Sequence, residues 1–432
     1  MKRIITLVLA LVLIIGTFSG CGNKKGSSSA SILEGETITI AAWGDSITAK
    51  EAGTELGDAR LERIAAIEEK YGCKIEFVTI ADIFSQMKLA ASSGEIIADV
   101  CSTRAHYITP LAKQDALWSM EELLGDEMSD ETYNQDTFAN TKFNENTYGF
   151  WFDPYYVGSV MRFNKGILDR ADIEYPYELV KSKKWTFDKW LEIMQATTDP
   201  ASGIMGCGMK QAFDATILKA NNASVYAYKD NKWVENTADT KVINALSFLA
   251  DCVTKYKVME SNAGRDWTYV PGQFAAGKYT FDTVYSWDLK GSTEDMSDDY
   301  GVLPLPLGPD ADEYSNVACE LKTYCIQKSV PKERAVAIMQ LMKEALAYPL
   351  DPETSIEAYY QSLVKDKESL EVLMMLHDLP VRQVDEYTTP DIRGTSCAGV
   401  LSSSAGNAPV RSSLESYKGS IQALLDDYYG QE

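Results

Sequence analysis

Histidine is almost missing from this chain: His106 and His377 are the only two in 432 residues. A zinc site built on imidazoles is therefore excluded, and one built on thiolates would need cysteines from scattered places, because no Cys-x-x-Cys occurs. Gly-x-Ser-x-Gly is absent too, and the Ser-x-x-Lys spacings at Ser85, Ser329 and Ser362 lack accompanying motifs. Positive charge is in deficit, 41 basic against 63 acidic side chains for a net charge of −22. Such a chain repels phosphate backbones, which excludes nucleic acid as a partner and leaves neutral or cationic ligands open. No apolar run is long enough to span a bilayer, the stretch Ile4 to Ile15 being too short. Gly272 to Lys278 matches a phosphate-binding loop and then fails. Tyr279 stands where a Ser or Thr should hold magnesium, and a helix-like stretch leads into a strand rather than the reverse. No cofactor is expected, and no metal.

What is present begins with an export signal. Met1-Lys2-Arg3 is followed by the apolar run and then Gly16-Thr17-Phe18-Ser19-Gly20-Cys21, so residues 1–20 read as a segment that is removed. Phe18-Ser19-Gly20-Cys21 resembles the lipobox of bacterial lipoproteins, which implies lipidation of Cys21. Residues 21–35, rich in Gly, Ser and Lys, read as a flexible tether. The protein is thus expected outside the cytoplasmic membrane, anchored through Cys21. The other cysteines, Cys73, Cys101, Cys207, Cys252, Cys319, Cys325 and Cys397, are odd in number and read as small buried apolar residues. Cys319 and Cys325 are the only closely spaced candidates for a bridge.

About 400 residues beyond the tether are too many for one core and enough for two α/β domains. Thr37 to Ile40, Lys74 to Ile80 and Ile96 to Cys101 read as strands, with helices through Leu61 to Tyr71 and Ile83 to Ala91 between them. That β-α-β-α-β order implies a parallel sheet whose ligands sit at the strands' carboxyl ends, near Trp43 to Asp45 and Ser102 to Tyr107. The aromatic stretch Tyr148 to Lys165 reads as an extended connector, biased by Pro154, that feeds a strand and crosses between domains. Further on, Thr186 caps a helix carrying Trp185 and Trp190, both read as core, and another helix runs from Asp239 to Lys257. A strand runs from Tyr279 to Tyr285 and another from Tyr300. A helix follows Ser329 and Pro331, and the tail is helical except for a loop from Gly394 to Ala408.

Several stretches in order resemble the extracellular solute-binding proteins of ABC importers, in the family that includes maltose and oligosaccharide receptors. They are Phe84 to Glu95 before Ala98-Asp99-Val100, Tyr148-Gly149 with Met161 to Lys165, Trp185 to Trp190, Phe274 to Lys278 before Ser286-Trp287, and Tyr300-Gly301-Val302 before Lys332 to Ala335. Arg162 and Phe163 depart from the family's aromatic pair. The resemblance implies an α/β, two-lobed periplasmic-binding-protein-like fold with a ligand cleft and three crossings, near Trp151, Trp287 and Tyr324. It places residues 36–151 plus 288–323 in one lobe and 152–287 plus 324–432 in the other. The implied site walls are Trp43, Asp45, Arg104, His106, Tyr107, Trp151, Asp153 and Trp287, with Tyr155, Tyr156, Trp267 and Tyr285 in a second rank. Indole faces suit flat sugar rings, and Asp, Arg or His replace the water that ring hydroxyls lose. The expected function is solute capture by hinge closure in a monomer that hands its ligand to membrane permease subunits, without chemistry. A carbohydrate is favoured over peptides and other solutes. An enzyme with paired carboxylates in the cleft and a sensory ligand-binding subunit are the alternatives.

Overall fold

The computed structural model describes residues 32–43, 53–209, 213–230, 232–260, 266, 268–291, 293–294, 296–318, 321–383 and 409–430. Cys21, Asp45, Trp267, Cys319, Cys397 and the loop from Gly394 to Ala408 lie outside them, as do the expected signal and nearly all of the tether. The first sheet is built from β1 (Thr37–Ala42), β2 (Lys74–Thr79) and β3 (Val100–Arg104), with β1 parallel to both others. The helix Glu55–Tyr71 between β1 and β2 begins where the Thr54 side chain accepts from Gly57 N at 3.1 Å. It ends at Gly72, whose φ of 63° is the left-handed conformation that favours glycine. The third strand begins later than its apolar run predicts. The Asp99 carboxylate accepts the Thr39 amide at 2.9 Å and Arg334 Nε at 2.8 Å, so the β1 ladder is open to β3 only from Ile40 and Val100 onward.

Two small pairs follow the order of the chain without joining a main sheet: β4 (Lys142–Phe143) with β5 (Asn146–Thr147), and, later, β8 (Tyr226–Lys229) with β9 (Lys232–Glu235). The second sheet comprises β6 (Ser159–Asn164), β7 (Met205–Gly208), β10 (Met259–Glu260), β11 (Tyr279–Tyr285), β12 (Tyr300–Leu303), β13 (Asn316–Ala318) and β15 (Val381–Gln383). The remaining strand, β14 (Lys322–Cys325), runs antiparallel to β3 at the edge of the first sheet. Thr186 and Asp239 cap the helices Phe187–Thr197 and Thr240–Thr254, and Trp185 and Trp190 are fully buried. The helix Tyr269–Ala275 runs into β11, which confirms that the glycine-lysine loop is not a strand-to-helix phosphate cradle.

The lobe boundaries differ from the sequence expectation after Trp287. β12 and β13 pair with β6, so residues 300–318 belong to the second sheet, not the first. β14 and the helix Lys332–Leu346 return to the first core, where Tyr324, Ile326, Ile338 and Met342 pack with Ile38, Ile40 and Phe150. Further on, Ile356, Tyr360, Val372, Leu373, Leu376, Leu414, Ile421 and Leu425 pack in the second core. The chain therefore crosses at 152–158, between Ala318 and Lys322, and at 347–351. Ser286 and Trp287 lie inside the second lobe rather than at a crossing. Gly158 sits where a Cβ would stand 2.1 Å from the Val317 carbonyl oxygen, so the first crossing passes too close to β13 for any side chain.

The described cysteines are buried and free, Cys325 among them, which sets aside its bridge to Cys319. Burial pushes the Cys101 thiol up to about 12 and leaves it inert. Among the described residues, no helix is long and apolar enough to cross a membrane, and no group of His, Cys, Asp and Glu is placed to hold a metal.

His377 has a structural task that carries a pH dependence. The Val157 amide donates to Tyr360 Oη at 2.8 Å, and Tyr360 Oη lies 3.1 Å from His377 Nδ1. With the amide already donating to it, the phenol's proton goes to a neutral imidazole. Burial holds the His377 pKa below the usual 6.5. The folded state thus binds fewer protons than the unfolded one just below pH 6.5. Its contribution is complete above 6.5 and is lost as pH falls through that value toward the lowered folded pKa. Denaturant titrations between pH 7.5 and pH 5 should show stability falling with acid, and His377→Gln should flatten that slope.

Candidate functional site

The carboxyl ends of the two sheets carry most of the side chains expected in the site. At the end of β1, Trp43 is half-buried, and the Arg104 guanidinium at the end of β3 lies 4.9 Å from its ring centroid. β14 places Lys322 directly opposite Arg104 in register, with its ammonium 5.7 Å from the same indole. Two cations against one indole make a local concentration of donors in an otherwise acidic chain. The short turn Ala105–Tyr107 then turns Tyr107 onto Phe84, stacked at 4.0 Å, and buries His106 edge-on to Tyr107 with ring centroids 4.1 Å apart.

Tyr155 ties the first crossing to this face. Its phenol donates to the Lys322 carbonyl at 2.7 Å and shares a hydrogen bond with Thr137 Oγ1 at 2.8 Å. Burial raises its pKa, so it stays a protonated donor at neutral pH. Two residues on, the crossing meets the second lobe. Ser286 N donates to the Gly158 carbonyl at 2.9 Å, and Ser286 Oγ donates to the Val157 carbonyl. That pins the turn Ser286–Asp288, on which Trp287 stands 62% exposed, its ring stacked on Tyr285 at 5.6 Å and 17°. A path of contacts thus runs from Trp43 to Lys322 through its ammonium, from Lys322 to Tyr155 through a hydrogen bond, and along the crossing's backbone to the hydrogen-bonded Trp287 turn.

Three expected wall residues are turned elsewhere. Trp151 is 6% exposed, packed on Tyr324 at 4.6 Å in the first core. Asp153 is held by Arg60, with Nη2 to Oδ1 at 3.0 Å; burial pushes its carboxyl upward against the opposing pull of Arg60. Tyr156 packs on Tyr359 at 4.5 Å in the second core. Asp45 and Trp267 lie outside the described residues. Lys322 was missed by sequence reasoning, because its pairing with Arg104 spans most of the first and second lobes and leaves no local signal.

The arrangement offers flat aromatic faces and hydrogen-bond donors on both sides of a hinge, and the one carboxylate expected in the described wall is already engaged by Arg60. The family described as bacterial extracellular solute-binding protein matches residues 52–355. UgpB from Mycobacterium tuberculosis, in complex with glycerophosphocholine, is similar in fold at 18% identity and a TM-score of 0.66, over 90% of this chain and 98% of that one. An ABC substrate-binding protein from Listeria monocytogenes in complex with cycloalternan gives 15% identity and a TM-score of 0.65, over 92% and 100%. Maltose-bound T. maritima MalE3 gives 14% and 0.61, over 90% and 100%. At these identities the likeness establishes the two-lobed fold, while the family match covers most of the sequence. The chain belongs to the bacterial extracellular solute-binding protein family.

Proposed function

We propose that this protein is the capture subunit of an ABC importer and that its solute is a carbohydrate. The ligand lies between Trp43, Arg104, Tyr107 and Lys322 on the first lobe and Tyr285 with Trp287 on the second, with Tyr155 on the crossing. The observation that carries this reading is the exposed Trp287, held on a pinned turn beside the crossing. A large indole left in water on a fixed backbone fits a stacking platform for a sugar ring. The similar folds in complex with cycloalternan and maltose support the same ligand class. Closure is a population shift: the ligand must favour the closed lobes by about 5.5 kcal/mol for a nearly complete switch. Thermal-shift screening followed by calorimetry, with mono- and oligosaccharides, amino acids, peptides and glycerophosphocholine, tests the class. Stoichiometric binding of a sugar, recovered unchanged, is the expected outcome. Released product would replace capture with catalysis, and a response confined to amino acids or peptides would overturn the ligand class.

Anchoring belongs to the same proposal. Lipidation at Cys21, with at least two acyl chains, would keep a monomeric receptor at the cell surface beside its permease subunits, on a tether of 21–35. In the producing bacterium, Cys21→Ser should move the protein from the membrane fraction to the medium and remove incorporation of labelled palmitate. An unchanged distribution would overturn the anchor without touching the solute site.

A further inference from the structure

We propose a second carbohydrate site, in a cleft of about 490 Å³ that has one wall on each lobe and shares with the strand-end face the turn of Ala105 and His106 after β3. The first lobe contributes the turn after β3 and the segment Ala139 to Asn144. The second contributes the β8–β9 hairpin and the end of the helix Val410–Tyr429. Neither Trp43, Arg104, Tyr155 nor Trp287 lines it. Its chemistry suits a neutral sugar ring. Trp233 stacks on Tyr429 at 4.9 Å and 19°, and Tyr228, 58% exposed, stands 5.1 Å from the same indole, so a broad aromatic platform faces the space. The first-lobe wall carries Asn140, Lys142 and Asn144, side chains of a kind that bonds to hydroxyls, although the Asn140 amide already donates to the Asp136 carbonyl at 2.7 Å. Although the chain is strongly acidic, no Asp or Glu is among the described lining residues. The volume falls in the range of small-molecule pockets.

The position of this cleft also makes it a coupling site. The Tyr428 phenol closes it by donating across the lobes to the His106 carbonyl at 2.5 Å, and the His106 ring rests on Tyr107 of the strand-end face. A sugar seated there contacts both lobes, so it binds the arrangement in which the walls meet better than one in which they part.

Calorimetric titration of the chain lacking residues 1–30 with glucose, N-acetylglucosamine and maltotriose tests the proposal. The expected result is a second, weaker class of site beside the strong one. Tyr228→Ala, at an exposed position, should weaken that second class by about tenfold, leaving the strong class and the unfolding midpoint unchanged. Trp287→Ala should do the opposite, weakening the strong class roughly thirtyfold and retaining the weak one. A single class of site in the parent chain, a second class indifferent to Tyr228→Ala, or no binding of any of the three sugars would overturn the second site. A parent chain that shows the Tyr228-sensitive class and no strong class would instead count against the strand-end face.

Discussion

Arg162→Met should destabilise the second lobe by about 3–5 kcal/mol, the largest loss expected from a single substitution outside the ligand site. Arg162 departs from the aromatic pair that the family pattern puts at this point of the strand, and the structure gives the reason. It lies opposite Asp282 in the antiparallel register of β6 and β11, and both side chains are fully buried. The guanidinium makes a two-pronged contact with the carboxylate, Nε to Oδ1 at 2.9 Å and Nη2 to Oδ2 at 2.6 Å. A third bond runs from Nη1 to the Leu289 carbonyl at 3.2 Å. The Phe274 ring packs 4.7 Å from the guanidinium carbon. Methionine would fill much of the volume but leave the Asp282 carboxylate charged in an apolar sheet with its strongest donors gone, which is the costly half of breaking a buried pair. Removing both charges, in Arg162→Met with Asp282→Leu, should recover most of the loss, because neither group is then stranded. Urea unfolding of the single and double variants measures this. A single-variant cost below about 1 kcal/mol, or a double variant no better than the single, would mean that the pair is not holding the sheet.

The same pair marks what the sequence could and could not convey. Local chemistry was legible: Gly72 ends a helix because it alone accepts φ of 63° without strain, and Thr186 and Asp239 begin helices because their oxygens bond to the first turn's amides. Each of these signals lies within a few residues of the feature it sets. Partners distant in the chain were not legible. Nothing near Lys322 announces that it will stand opposite Arg104, and nothing near Tyr300 announces a place beside β6, so the lobes were divided wrongly after residue 287. The site was affected in the same way. Trp43, Arg104, Tyr107 and Trp287 are placed in the proposed site by their positions at strand ends, whereas Trp151 and Asp153 share the crossing's aromatic and acidic character but turn inward, toward Tyr324 and Arg60. Residue type gives what a side chain can bind; only the packing gives which way it faces.

Trp287→Ala should weaken the preferred sugar by about 2 kcal/mol or more, roughly thirtyfold in Kd, while changing folding stability by less than about 0.5 kcal/mol. The separation follows from exposure. At 62% exposed and stacked, among the described residues, on Tyr285 alone, the indole contributes little apolar burial in the unliganded chain, and its backbone is positioned by Ser286 rather than by its own side chain. A sugar ring laid on it would desolvate both faces at once, so the loss appears on binding and not on folding. Trp287→Phe, which keeps a smaller face, should recover part of the affinity. Trp151 serves as the contrast, since it is buried in the first core and its truncation should lower the unfolding midpoint whether or not ligand is present. Calorimetry and thermal unfolding of the variants separate the two roles. If Trp287→Ala bound sugar as tightly as the parent, the exposed indole would have no part in capture and the strand-end face would lose its second-lobe wall. If it instead unfolded at a markedly lower temperature, the turn would be structural and the ligand would have to be sought elsewhere between the lobes.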